Sequence, residues 1–256
     1  MRRGAIAASV LREFLIALQF LTIFSIQKTL PFDEVRFGRS AAFFPLVGGL
    51  IGGLVWSLDL LLTPVCPPVI RSVLLTAALA ICSRGLHLDG LADSADGFFG
   101  GRDRQHCLDI MKDSRIGTFG VVALAGVLLL KVRAFDLLAG ETRIPALVLA
   151  PVLSRWAQVG MAFRSRPARD EGLGALLVRN VHRRELLWAS TSALVVTLLL
   201  TGSAGLWLCV VVVAMTLALT HASHQRLGGV TGDTCGATGE LVETFVLCWW
   251  TCEILR

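Results

Sequence analysis

Two long apolar runs constrain this chain more than any other feature of its sequence. Residues 41–62 and 144–163 each have the length of about 20 residues that an α-helix needs to cross the hydrocarbon core of a bilayer. Hydrophobic residues make up 54% of the 256 residues and charged residues only 17%, against about 25% charged in soluble domains. The sequence therefore predicts an all-α integral membrane protein, built as a single domain over residues 1–256.

We expect a polytopic bundle of about seven or eight hydrophobic helices, because eight apolar runs are bounded by charged residues, proline or glycine. These runs lie at 13–26, 41–62, 69–84, 117–138, 144–162, 186–201, 204–220 and 238–252. Several runs are shorter than a full span, so some helices are expected to be short or re-entrant. The run at 13–26 contains Gln19 and is expected not to cross the membrane.

The cysteines and the net charge exclude two other classes of protein. Seven cysteines, an odd number with no CxxC spacing, favour neither a disulfide framework nor a zinc site. The formal net charge of +5 fits a membrane protein whose arginines face the cytoplasm. We therefore expect the lipid bilayer as a partner and no nucleic acid.

The charged residues are gathered into three segments. Residues 84–115 carry six aspartates among basic residues, residues 164–185 carry six arginines, and residues 221–240 are rich in glycine around Asp233. Two candidate spans separate each segment from the next, so all three are expected on one side of the membrane. The arginines mark that side as cytoplasmic. This predicts a multi-pass protein of the cell (inner) membrane whose functional loops face the cytoplasm.

The densest group of carboxylates lies in the segment HLDGLADSADGFFG, residues 87–100. Asp89, Asp93 and Asp96 are spaced i, i+4 and i+7, which places the three side chains on one face of a helix. Like charges at this spacing repel each other, and carboxylate oxygens are ligands that Mg²⁺ and Mn²⁺ prefer. The pattern predicts a divalent-cation site, and the alternative is a solvated acidic face.

A second acidic centre lies in GGVTGDTCGATGELVE, residues 228–243. Asp233 is surrounded by glycines, and Glu240 follows seven residues later, on the same face if the segment is helical. Glu240 enters an apolar run, where an ionisable side chain is costly and is a functional candidate by default. Facing the aspartate segment across one membrane surface, this centre is expected to belong to the same site.

Glycines that follow aspartates or feed a helix are expected to let a large substrate approach the backbone. The four candidates are Gly90, Gly97, Gly229 and Gly232. The turn around Gly229 and Gly232 also presents backbone N–H groups to phosphate, although it lacks the lysine of a Walker A loop.

Three further side chains are candidates for catalysis. Lys112 and Arg115, within DIMKDSRIGTFG, offer donors for phosphate, and their alternative role is an ion-pair network beside the membrane. His87 precedes the first aspartate by two residues. It is expected either to act as a base or ligand-orienting group, or to make a structural hydrogen bond.

These motifs together resemble the adenosylcobinamide-GDP ribazoletransferase family, also called cobalamin synthases. The resemblance covers residues 14–250 and rests on HLDGLADSADGFFG, MKDSRIGTFG and GGVTGDTCGA, with FFPLVGGLIGG and RPARDEGLG in support. It implies an integral membrane, Mg²⁺-dependent enzyme that joins adenosylcobinamide-GDP to α-ribazole or its 5′-phosphate and releases GMP. The acidic positions that match the family are Asp89, Asp93, Asp96 and Asp233.

On that chemistry, one or two Mg²⁺ ions are expected to bridge the GDP moiety, because splitting a pyrophosphate requires its charge to be neutralised. The expected metal ligands are Asp89, Asp93, Asp96, Asp233 and Glu240. Asp233 completes the metal site or acts as base on the ribazole hydroxyl. Lys112 and Arg115 are expected to steady the pyrophosphate, with His87 as the remaining catalytic candidate. The sequence leaves the oligomeric state open, a homo-oligomer included.

Two other functional classes stay open at this point. A CDP-alcohol-type membrane phosphotransferase also sets several aspartates on neighbouring helices, but its DGxxAR continuation is absent, since Gly97 is followed by Phe98 and Phe99. An ion-coupled transporter uses intramembrane acids as coupling sites near the middle of the bilayer. The carboxylates of this chain are expected at the membrane surface instead.

Overall fold

The chain folds into packed helices, with no strand in residues 2–24 and 33–252, which are the residues that the computed structural model describes. The helices are α1 (Arg2–Leu21), α2 (Glu34–Ser40), α3 (Phe44–Leu62), α4 (Pro68–Cys82), α5 (Leu86–Gly100), α6 (Arg104–Ile110), α7 (Thr118–Leu137), α8 (Arg143–Phe163), α9 (Leu173–Asn180), α10 (Arg183–Thr201), α11 (Gly205–Leu227) and α12 (Gly232–Trp249). The predicted all-α class is confirmed.

Each of the eight predicted helices corresponds to an observed one, and the boundaries differ most at α1 and α12. Helix α1 begins at Arg2, and the last two residues of the predicted run 13–26 lie outside the described residues. Helix α12 begins at Gly232, so the glycine-rich segment forms its first turns. Thr231 and Thr234 form a capping box there, which supplies the start signal that the glycines obscure.

Within the described residues, four helical segments are long and apolar enough to cross a membrane, and α1 and α12 are not among them. They are Glu34–Leu62, Thr118–Leu137, Gly140–Phe163 and Arg183–Leu227. Helices α4 and α5 pass the same test as a pair but meet at an angle of 87°. The bend lies at Arg84 and Gly85, whose φ angles of 53° and 69° are left-handed. The pair forms either a broken span or a re-entrant loop. It agrees with the expectation that some helices are short or re-entrant, although α5 is not among the eight predicted runs.

Helix α8 occupies the centre of the bundle and is buried along most of its length. It packs against α3, α10, α11 and α12. Helix α12 in turn packs against both α8 and α5. The central helix therefore supports α12, and α12 holds its first turn against the aspartate-bearing helix α5.

Helix α3 approaches α8 through two glycines spaced four residues apart. A Cβ atom added at Gly48 would lie 2.3 Å from the carbonyl oxygen of Pro151, and one at Gly52 would lie 2.7 Å from the Cα of Val148. Small residues at this spacing let membrane helices approach each other closely. This face of α3 therefore has no room for a side chain.

We expect Gly48→Ala to lower the free energy of unfolding by about 1–3 kcal/mol, because the new methyl group overpacks a backbone contact. Gly53→Ala on the same helix is the matched control, since no atom lies within 4 Å of its added Cβ. The control is expected to be neutral or slightly stabilising, because alanine favours helix. Thermal unfolding in detergent compares the two variants, and equal losses would contradict the close approach.

Candidate active site at the junction of the charged segments

The three charged segments meet at one end of the bundle. Arg104 on α6 donates hydrogen bonds to the carbonyl oxygens of Leu227 and Ala168, each at 2.7 Å. The backbone N–H of Ala168 donates to the carbonyl of Val230 at 2.8 Å, and that of Val230 donates to Arg166 at 2.9 Å. Direct contacts thus bring the three segments together at one end of the bundle, and the side of the membrane that this end faces stays a prediction.

Asp89 and Asp93 on α5 and Asp233 at the start of α12 form an acidic cluster at this junction. Helix α12 comes this close because residue 90 is glycine: a Cβ there would lie 2.7 Å from the carbonyl oxygen of Asp233. The carboxylates of Asp89 and Asp233 both repel that of Asp93. Asp89 is exposed, and the other two are half-buried. Three of the predicted acidic residues therefore come together, within reach of solvent.

Arg169 is the cation that faces this cluster. Its Nη1 lies 3.3 Å from Oδ2 of Asp233, and its Nη2 donates to the carbonyl of Leu108 at 3.1 Å. Burial raises the pKa of Asp233, while Arg169 and the hydroxyl of Thr231 act in the opposite direction. From its sequence position, Arg169 was predicted only to orient the chain, as one of six arginines in residues 164–185. Its place within the RPARDEGLG motif was the signal for a role in the site.

Asp96 has a different role from its neighbours on α5. Its carboxylate oxygens accept hydrogen bonds from the backbone N–H groups of Gly117 at 2.7 Å and Gly120 at 2.9 Å. These N–H groups belong to the start of α7, where a helix leaves its donors unpaired. Asp96 is buried and caps that helix. We therefore revise its expected role from metal ligand to structural cap between α5 and α7.

Glu240 also lies apart from the acidic cluster, inside the bundle. It pairs with Lys131 of α7, which also donates to Glu243 at 2.7 Å. Glu243 pairs in turn with Arg155 of α8, and all four side chains are buried. We name Lys131, Arg155, Glu240 and Glu243 the interior ion network. Its formal charges cancel, so the expected metal ligand Glu240 is instead part of a structural link between α7, α8 and α12.

Lys112 and Arg115 lie on the exposed loop between α6 and α7. The Nη2 of Arg115 lies 2.6 Å from Oδ2 of Asp113, and this hydrogen bond lowers the pKa of Asp113 to about 2. Arg115 therefore already has a carboxylate partner. Contact of both residues with a pyrophosphate stays a prediction.

A cavity of about 280 Å³ opens beside Asp233, and we name it the junction cavity. Asp89 and Arg169 line it together with Asp233 near the exposed end. His87 of α5 and Gln158 of α8 line it too, and both are buried, with their Nε2 atoms 2.9 Å apart. His87 thus lies in the wall of a cavity that two members of the acidic cluster, Asp89 and Asp233, also line. Whether it moves a proton stays a prediction.

The glycines predicted to admit substrate are Gly90, Gly97, Gly229 and Gly232. A Cβ at Gly97 would lie 2.4 Å from the Cγ of Met111, and one at Gly229 would lie 2.4 Å from the carbonyl oxygen of Arg166. Gly97 and Gly229 therefore serve close packing, as Gly90 does. Of the four, Gly232 is the one that lines the junction cavity.

The acidic cluster fits an open magnesium site better than a closed metal cage. No three His, Cys, Asp or Glu side chains converge on one point within the described ranges. Mg²⁺ is usually held by one or two carboxylates, with waters and substrate phosphates as its other ligands. Asp89, Asp93 and Asp233 offer only oxygen donors, and the guanidinium of Arg169 acts on the carboxylates of Asp93 and Asp233. This donor set suits a hard divalent cation.

The comparison with known proteins decides the family. A family model described as cobalamin-5-phosphate synthase matches residues 13–251. The chain belongs to the cobalamin-5-phosphate synthase family. The matched residues include the three charged segments that meet at the junction.

Several relatives of this cobalamin-5-phosphate synthase family member are named adenosylcobinamide-GDP ribazoletransferase. The one from Pseudomonas fluorescens is 44% identical, over 91% of this chain and 96% of its own length. Those from Roseiflexus and Clostridium tetani are 39% and 34% identical, over 90% and 92% of this chain and 86% and 94% of their own lengths. No solved structure matches the chain.

Proposed function

We propose that this chain is an adenosylcobinamide-GDP ribazoletransferase, which joins adenosylcobinamide-GDP to α-ribazole or its 5′-phosphate and releases GMP. One observation carries the proposal. A chain that matches enzymes of this name over about nine-tenths of its length brings Asp89, Asp93 and Asp233 together beside Arg169. Acids and a guanidinium around an accessible cavity suit the transfer of a phosphate-bearing group.

In the proposed reaction, an oxygen of the ribazole hydroxyl forms a bond to the phosphorus that carries the corrinoid. The bond from that phosphorus to the GMP oxygen breaks, and GMP leaves with the electron pair. Asp233 lines the cavity and accepts the hydroxyl proton, because its half-buried carboxylate lies where the acceptor enters. Asp89 and Asp93 would hold Mg²⁺, which would neutralise the charge of the pyrophosphate.

We assign Arg169 as the main residue that binds the pyrophosphate. Its guanidinium already lies at the mouth of the cavity, and guanidinium groups bind phosphate oxygens in a bidentate manner. Helices α9 and α12 both begin at this mouth, where Gly174 and Gly232 are in backbone contact. Helix starts favour anions. Lys112 and Arg115 are retained as outer donors.

We also propose that the junction faces the cytoplasm and that the chain resides in the cell (inner) membrane. The arginines of residues 164–185 support this orientation through the positive-inside rule. To test this orientation, Arg164 is replaced by cysteine. Labelling of the new thiol by a reagent that does not cross the membrane is then measured in intact cells and in inverted vesicles. Labelling from the outside of intact cells would contradict the proposed cytoplasmic orientation.

The decisive experiment incubates the purified chain in detergent with adenosylcobinamide-GDP, α-ribazole and Mg²⁺. We expect equal amounts of GMP and cobamide, loss of both with EDTA, and recovery when Mg²⁺ is restored. A parallel reaction with α-ribazole 5′-phosphate identifies the preferred acceptor. CMP release from a CDP-alcohol without cobamide formation would support the phosphotransferase alternative, and flux into proteoliposomes without GMP would support a transporter.

A further inference from the structure

The junction cavity has two zones of different chemistry. Its exposed end is bordered by Asp89, Asp233 and Arg169, which are charged. Its other walls include the buried side chains of Ala175, Leu177 and Val230 and the half-buried ring of Phe20. A ligand that fills both zones therefore needs a polar part at the mouth and a neutral, apolar part inside.

The size of the cavity suits one substrate better than the other. The volume of this cavity is about 280 Å³. A group the size of a water molecule needs about 10–15 Å³ when volume is measured in the same way. The cavity thus has room for roughly twenty such groups, enough for a nucleoside and far too little for a corrinoid. The phosphates of the other substrate are also disfavoured there, because transfer of a charged group into apolar surroundings is costly.

Two buried polar side chains, His87 and Gln158, interrupt the apolar walls. Each is 3% exposed, and the pair connects α5 to α8 through the contact between their Nε2 atoms. Both residues line the cavity. An imidazole and a carboxamide supply hydrogen-bond donors and acceptors that match a nitrogen in an aromatic ring. The arrangement resembles a binding site of mainly apolar lining with a few placed polar groups.

We propose that the junction cavity binds the aromatic base of the acceptor nucleoside, and that Gln158 and His87 determine which base is accepted. This inference rests on the proposed function and extends that function by assigning one substrate to one cavity. The benzimidazole base of α-ribazole lies among Phe20, Leu177 and Val230, against the His87–Gln158 pair. The ribose extends to the mouth, so the hydroxyl group that reacts arrives beside Asp233.

Binding of α-ribazole alone, measured by isothermal titration calorimetry without corrinoid or Mg²⁺, tests the assignment independently of turnover. We expect Gln158→Leu to raise the dissociation constant for α-ribazole about tenfold, because a polar contact is lost while the volume is kept. The KM for adenosylcobinamide-GDP is expected to change less than twofold. Gln105→Leu, at an exposed position on α6, is the matched control and is expected to leave both constants unchanged.

A second variant keeps the test valid if Gln158→Leu does not fold. Ala175 is buried in the cavity wall, and the larger side chain of Ala175→Val narrows the cavity. We expect it to weaken binding of the dimethylbenzimidazole nucleoside more than binding of the smaller benzimidazole nucleoside. Unchanged binding and unchanged base preference in the folded variants, with GMP still formed by the wild type, would overturn the inference alone. Absence of GMP with either acceptor would overturn the proposed function.

Discussion

Asp93→Asn is expected to lower kcat about 100-fold or more while leaving thermal stability unchanged or higher. Activity falls because one carboxylate of the proposed magnesium site is lost, and groups that stabilise phosphoryl charge contribute effects of this size. Stability does not fall because Asp93 faces repulsion from Asp89, Asp233 and Asp96. Initial rates of GMP release across a range of Mg²⁺ concentrations measure the first effect, and thermal unfolding measures the second.

Two matched variants show whether position or charge is responsible. Asp109→Asn removes an exposed aspartate of α6 that accepts a hydrogen bond from Gln105, and it is expected to keep nearly full activity. Asp96→Asn is expected to lower the melting temperature, because the amide cannot accept from both Gly117 and Gly120 as the carboxylate does. Activity of Asp93→Asn within about threefold of wild type at ordinary Mg²⁺ would exclude Asp93 as an essential ligand.

Lys131→Met is expected to lower the free energy of unfolding by about 3–5 kcal/mol, the usual effect of removing one partner from a buried ion pair. The variant leaves the carboxylates of Glu240 and Glu243 facing one guanidinium, that of Arg155, in the interior of the bundle. Chemical or thermal unfolding in detergent measures the loss. We expect the substitution to affect stability more than catalysis. The hydrogen bonds described for the interior ion network join its own members and do not reach the carboxylates of the acidic cluster.

The control for this variant is Arg133→Met, two residues away on the same helix. Arg133 is exposed and pairs with Asp136 one turn on, so its loss is expected to cost at most about 1 kcal/mol. Lys131→Met combined with Glu240→Gln restores a balance of one carboxylate and one guanidinium, and is expected to recover more than half of the loss. If Lys131→Met were no more destabilising than Arg133→Met, the network would not stabilise the bundle.

The sequence predicted the helices well because length and hydropathy alone determine what can lie in a bilayer. It also placed Asp89 and Asp93 correctly on one face, since their spacing follows from helix geometry. The same spacing led to the prediction that Asp96 is also a metal ligand. Spacing identifies the face of a helix on which a side chain lies, but not the group that the side chain contacts. The N–H groups that Asp96 binds lie 21 and 24 residues further along the chain.

Glu240 shows a second limit of sequence patterns. An acid in an apolar run signals either a functional site or a buried partner, and the partner, Lys131, lies 109 residues earlier. Arg169 shows the opposite error: six arginines in one segment satisfied the positive-inside rule as a group, which hid the individual that contacts Asp233. In both cases the missing information was a contact between segments that are distant in sequence.

The bend between α4 and α5 has a consequence for how the chain enters its membrane. Two helices that meet at 87° cannot both run along the bilayer normal. Helix α5 carries three aspartates and α4 carries none, so α5 is the less suited of the two to the hydrocarbon core. An aspartate at the centre of an inserting helix costs about 2.5–3.5 kcal/mol on the translocon scale. The turn at Gly85 separates the two axes, so the apolar helix α4 is able to insert without carrying the aspartates of α5 along the same direction.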